Sequence, residues 1–270
     1  MGKKTGFALR LLMLMGGLNL PLSSIAQDLC PPQPIRLAHY EMGTLYSGGV
    51  GIDEDVAQEM ARRSHCKFEY SVRPRARIWV ELENGDTDMA LSAIQTSARD
   101  QFAWFAHYIQ GKNLFLLQPG LKVDSMQAFM ANPRLKLGIV RVYKYSHFYD
   151  PIVEQLRQEH RLVEVANMEQ LYLMFKAKRF EATLGFPYVY PFYLKQFSSK
   201  ELPQVVDWDP GPPFPQGLVL SKKTFSAEQA LAWQTLMDQM LKDGTILQIL
   251  SRHIGAKSAR EALYHSARLK

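Results

Sequence analysis

Hydrophobic and polar positions along this chain follow two rhythms: short apolar runs, and longer stretches with an apolar residue every three or four positions. The runs "IRLAHY" (35–40), "KFEYSV" (67–72) and "MALSA" (89–93) read as buried strands. Between them, "GIDEDVAQEMARRS" (51–64) and "RARIWVELENG" (75–85) read as helices. In the first helix Val56, Ala57, Met60 and Ala61 share a face. Its first turn holds Asp53, Glu54 and Asp55 and its last holds Arg62 and Arg63, so charge opposes the helix dipole at both ends. Gly85 stops the second helix. Strands alternating with helices predict parallel pairing through helical crossovers.

After a strand in "NLFLLQPG" (113–120) the alternation restarts. "LKLGIV" (135–140), "RLVEV" (161–165) and "EATLG" (181–185) read as strands, and "PIVEQLRQEH" (151–160), "MEQLYLMFKAKR" (168–179) and "YVYPFYLKQ" (188–196) as helices. Two such series predict an α/β protein of two lobes. The four prolines of "WDPGPPFPQG" (208–217) exclude a helix or a central strand there. "LVLSKK" (218–223) then reads as a strand, Ser226 with Gln229 as a capping box before a helix with Ala230, Trp233, Met237 and Met240 in line, and "LKDGTILQILSRHIG" (241–255) as the closing element. A polar helical tail is expected over the last 15 residues.

The N-terminus stands apart. Lys3, Lys4 and Arg10 precede the apolar run "LLMLMGGLNLPL", and "SSIAQ" supplies small residues at Ser24 and Ala26. This is the anatomy of a secretory signal, with cleavage expected after Ala26, so residues 1–26 are excluded from the fold. The run is too short to span a bilayer, and "AQDLC" does not resemble a lipid-attachment site. A soluble exported protein is expected. Loss of the signal removes three cations and no acids, which leaves 29 Lys and Arg against 26 Asp and Glu. That near balance, without a basic run, points away from nucleic acid.

In an exported chain Cys30 and Cys66 most simply form one disulfide, two buried thiols being the alternative. The seven histidines show no metal-ligand spacing, and no GxSxG, HExxH, P-loop or GxGxxG motif occurs. No metal, cofactor or catalytic residue is assigned.

Four stretches together resemble the bacterial periplasmic solute-binding proteins of the amino-acid-binding type, family 3. "GVGIDEDVAQEMARR" (49–63) is similar to their G-F-D-x-D-[LV]-x-x-x-[IM]-A, and "VELENGDTDMALSAIQTSAR" (80–99) to their L-x-x-G-x-x-D followed by T-x-x-R. "LYLMFKAKRFEATLGFPYVYPFYL" (171–194) resembles L-x-x-G-R-x-D-A-x-x-x-D, and "LMDQMLKDGTILQIL" (236–250) the closing D-G-T-x-x-x-I. The resemblance implies the two-lobed periplasmic-binding-protein fold of type II, each lobe a mostly parallel sheet flanked by helices, with two hinge crossings. It divides the chain into 27–112 and 217–270 for the first lobe, the latter including the tail, and 113–216 for the second. It also implies a monomer that closes on a small solute and hands it to an ABC permease or a membrane sensor.

The resemblance makes Arg99 the clamp on the ligand's carboxylate, a role suited to a guanidinium fork. The alternative is a structural ion pair with Asp100 or another acid. Further contacts are expected from Tyr40, Arg77, Gln95, Thr96, Arg141, Tyr145 and Phe186. For Arg77 a solvated helix face is the competing reading, and for Tyr145 and Phe186 it is simple packing. The chain departs from the family at "LGFPY" (184–188), where no carboxylate awaits an ammonium group, and at the bulky, basic "RVYKYSHF" (141–148). A small anionic or aromatic, amino-acid-like solute follows. The same fold also carries dehydratases of cyclic acids, and for that reading Glu41 and His39 are the nearest acid–base candidates.

Overall fold

The computed structural model describes residues 1–2 and 29–265. The expected signal segment, apart from its first two residues, and its cleavage site lie outside the described residues. The chain runs β1 (Ile35–His39), α1 (Ile52–Ser64), β2 (Phe68–Val72), α2 (Arg75–Asn84), β3 (Met89–Ile94) and β4 (Ala103–Gly111). It continues through β5 (Leu114–Leu117), α3 (Met126–Ala131), β6 (Leu137–Val140), α4 (Tyr149–Gln158), β7 (Leu162–Val165), α5 (Met168–Lys176), β8 (Ala182–Gly185), α6 (Tyr190–Leu194) and β9 (Gln204–Val206). It ends with β10 (Phe214–Ser221), α7 (Ala227–Lys242) and α8 (Thr245–Ala262). No helix among the described residues is long and apolar enough to cross a membrane.

Two five-stranded sheets result, ordered β2-β1-β3-β10-β4 and β7-β6-β8-β5-β9. In each, three strands are parallel (β2, β1, β3 and β7, β6, β8), and two more join through antiparallel pairing (β10 then β4, β5 then β9). The sheets are therefore mixed. The chain passes from the first to the second between β4 and β5 and returns between β9 and β10. Lys112 ties the two crossings together, donating to Asp207 at 2.7 Å.

The Pro-rich stretch is a correction. β10 begins at Phe214 and includes Pro215, although four prolines had excluded a central strand. Pro215 pairs only with Gln110 of β4; contact with β3 starts at Gln216, so at the proline the strand has one neighbour and loses no bond on the other side. At Gly217 a Cβ would stand 2.1 Å from the Ala106 carbonyl oxygen, so the close approach of β10 to β4 requires glycine.

Ser226 and Gln229 form the complete capping box expected at the start of α7. The tail is helical to Ala262, bent where Gly255 takes φ 76, and its end pairs Leu263 with Ile109 of β4. Cys30 and Cys66 are disulfide-bonded, with Cα atoms 5.3 Å apart, which pins the approach to β1 against the end of α1. The core differs from two separate ones. One buried apolar cluster runs from β1, α1, β3 and α7 through Tyr40 and Met42 into Val140, Tyr172, Tyr188 and Tyr193 of the second lobe. A smaller cluster around Phe115, Phe129, Tyr149 and Leu156 fills the other face of the second sheet.

Candidate functional site

Parallel strands run the same way, so their carboxyl ends gather on one side of each sheet, and the two lobes turn those sides toward each other. A cleft of about 300 Å³ lies there. Tyr40 and Glu41 enter it after β1, Val72, Arg73, Pro74 and Arg75 after β2, Val140 and Tyr143 around the end of β6, and Ala166 to Glu169 after β7.

Arg75 owes its position to Pro74, whose φ of −58° and ψ of 139° end the extended chain and make Arg75 the first residue of α2. Its guanidinium lies 4.2 Å over the Tyr40 ring and 5.1 Å from Trp79. Two of its N–H groups donate to the carbonyls of Leu91 (3.4 Å) and Ser92 (3.2 Å). Those carbonyls sit at a β-bulge, where Leu91 and Ser92 together oppose Leu218, and Ser92 adopts φ 49, a left-handed value uncommon for a serine.

Arg99 covers the same indole from 3.6 Å, and its Nη1 donates to the Ile94 carbonyl at 2.7 Å. Arg75 is 6% and Arg99 9% exposed. Among the described residues neither forms an ion pair with an acid. The candidate partner Asp100 instead accepts from Gln95 at 2.8 Å. Burial, and next the positive charge of Arg75, push the Arg99 pKa down to about 9.

Behind Ser92 sits Asp53, buried in the first turn of α1. One of its oxygens accepts from the Tyr108 hydroxyl (2.6 Å) and the Ser92 hydroxyl (2.7 Å). Burial raises its pKa to about 6, against the pull of those hydrogen bonds and of Arg75. Tyr40 and Tyr143 close the cleft floor from the two lobes, and both hydroxyls face the Met42 sulfur.

The other expected contacts divide. Thr96 accepts from the Arg99 backbone N–H at 3.3 Å and so caps the turn that carries the arginine. Tyr40 lines the cleft. Arg77 lies on the solvent face of α2, paired with Glu81 at 2.5 Å. Gln95 is exposed and held by Asp100, and Arg141 is exposed on the second lobe. Tyr145 is core: its hydroxyl accepts from the Val140 N–H at 3.0 Å. Phe186 is buried in a stack on Tyr188, with ring centroids 5.1 Å apart. His39 is buried under Tyr46, and burial lowers its pKa to about 4. Glu41 stands exposed at the cleft mouth.

Sequence reasoning missed Arg75, Trp79 and Tyr143. The signal for Arg75 was Pro74: only the first helical residue stays at the strand end, and Arg77 lies about 200° further round the helix. No group of three metal-ligating side chains occurs among the described residues.

The sequence profile of the bacterial extracellular solute-binding proteins, family 3, matches residues 40–256. This chain belongs to that family. As a family 3 solute-binding protein it shares its fold with ArtJ, the arginine-, lysine-, histidine-binding protein of Geobacillus stearothermophilus (TM-score 0.69, 16% identity, covering 83% of this chain and 96% of ArtJ). It is likewise similar to the ancestral amino-acid-binding protein AncCDT-1, a precursor of cyclohexadienyl dehydratase (TM-score 0.66, 18% identity, 85% and 96% covered). The Bordetella pertussis BvgS VFT2 domain is a third likeness (TM-score 0.63, 16% identity, 85% and 95% covered). At such identities the likeness concerns the fold. No curated protein matches the chain.

Proposed function

We propose that this family 3 protein works in the periplasm, capturing a small anionic or aromatic, amino-acid-like solute between its lobes and presenting it to an ABC importer or, alternatively, to a membrane sensor. The lobes comprise 27–112 with 217–270, and 113–216. The observation that carries this reading is the pair of buried guanidiniums, Arg75 and Arg99, beside an aromatic cleft and with no acid among the described residues paired to either. Burying a cation without a counter-charge is costly, and an incoming carboxylate supplies one. Arg99 holds that carboxylate, Thr96 fixes the turn, and Tyr40, Arg75 and Tyr143 line the pocket. A cleft of about 300 Å³ suits a small solute.

Binding rather than catalysis is supported by His39, which is buried in the core against Tyr46, with Glu54 3.3 Å from its Nε2, and lines no part of the cleft. Among the described residues, Glu41, the other acid–base candidate, accepts only from the backbone N–H of Gly48 (3.3 Å). A thermal-shift screen of the mature protein against amino acids, dicarboxylates, aromatic acids and polyamines tests the proposal. A carboxylate solute is expected to raise the melting temperature by mass action. A rise with polyamines alone defeats it.

A further inference from the structure

The single arginine after β3 is enough for one carboxylate, yet two guanidiniums are buried here: Arg75 lines the cleft, and Arg99 lies next to it against Trp79, outside the lining itself. Arg75 and Arg99 approach the same Trp79 ring, at 5.1 and 3.6 Å. Each is fixed from behind by backbone carbonyls, Arg75 by Leu91 and Ser92 and Arg99 by Ile94. A guanidinium has five N–H donors. Two of Arg75's and one of Arg99's are used, and the described residues supply no other acceptor. Asp53 offsets part of the charge, but its hydrogen bonds come from Ser92 and Tyr108, so it fills neither fork.

We infer that the solute carries two carboxylates, one held by Arg99 and the other by Arg75. The inference rests on the solute-binding reading above and narrows it to a diacid. A lone tetrahedral oxyanion fits less well: it leaves most of a 300 Å³ cleft, lined by Tyr40, Val72, Val140, Tyr143 and Met168, without a partner. A short aliphatic or aromatic spine between two carboxylates occupies that apolar lining. The acids of the lining, Glu41 and Glu169, are exposed at the mouth, where an ammonium group on the same spine can meet them.

Calorimetry at pH 7.5 with matched probes decides the matter: glutarate, L-glutamate and isophthalate, each against its monoamide, with inorganic sulfate as a further probe. The expected result is at least one diacid binding tenfold or more tightly than its monoamide. In Arg75→Gln that ratio falls below about three. If Arg75→Gln does not fold, the wild-type ratio alone decides. Diacid and monoamide within threefold of each other, or sulfate binding as tightly as any diacid, overturn the inference and leave the solute-binding reading standing. If no carboxylate of either kind binds, both fall together.

Discussion

Two guanidiniums against one indole repel each other, and burial together with that repulsion holds the Arg99 pKa down at about 9. An anion in the cleft relieves both effects. Arg99→Ala is accordingly expected to cost about 2–5 kcal/mol of affinity for the solute, and Arg99→Lys to lose much of the same, because an ammonium cannot reproduce the fork. Calorimetry showing Arg99→Ala within threefold of wild type makes the arginine structural. Asp53 offers a second test. Its folded pKa of about 6 lies above the ordinary carboxylate value, so the fold binds its proton more tightly than the unfolded chain does. The contribution is complete below about pH 4 and lost as pH rises through 6, which for a shift of about two pH units is roughly 3 kcal/mol. Asp53→Asn keeps the acceptor for Tyr108 and Ser92 without the charge. Relative to wild type it should gain stability progressively between pH 4 and 7, a trend that urea titrations across that range detect; a constant difference refutes it. The comparison with wild type cancels the opposite slope from His39 and His107, whose pKa values burial lowers to about 4. Of these residues the family resemblance pointed to Arg99, through its motif. It took Asp53 for a dipole partner, because burial beneath Ser92 depends on a bulge that no local pattern announces.

At the level of elements, the alternation of strand and helix was readable because each element buries one face, and burial writes a period into the sequence. The strand over Ala103–Gly111 escaped notice, and so did β9. The first has neighbours on both sides of the sequence that read apolar without alternation, and the second is three residues long. Pro215 misled because a proline's cost depends on which neighbours a strand has at that residue, a fact of topology rather than of local sequence. The disulfide was expected from cysteine count and compartment alone. It closes a loop of 36 residues, and loop entropy assigns it about 4 kcal/mol, less any strain in the native state. Denaturant unfolding with and without reductant should show a lower midpoint in the reduced form. Equal midpoints, or two free thiols in the unreduced unfolded protein, would remove that contribution.

Across the whole molecule, the apolar cluster that runs through both lobes alters how hinge motion is expected to behave. Lobes with separate cores and a polar interface swing freely. Here Tyr40 and Met42 of the first lobe belong to the same buried cluster as Tyr188 and Tyr193 of the second, and Gln216 of β10 donates to the Tyr188 hydroxyl at 2.5 Å. Closure therefore buries apolar surface in addition to gripping the solute. Opening must expose it, at roughly 25 cal/mol per Å². A ligand then needs to add only the remaining difference between the two states, and its apparent affinity depends on the closed fraction already present. Tyr193 tests this away from the arginines. It packs against Gly43, where an added Cβ would meet its ring at 3.0 Å, and it lines no part of the cleft. Tyr193→Ala is expected to favour the open form, giving a larger radius of gyration than wild type by small-angle scattering without solute. Saturating solute should bring the two to the same smaller radius, with affinity lowered several-fold in the variant. If neither protein changes radius at saturation and the variant binds as tightly as wild type, the lobes form a rigid cleft and the shared core does not govern binding.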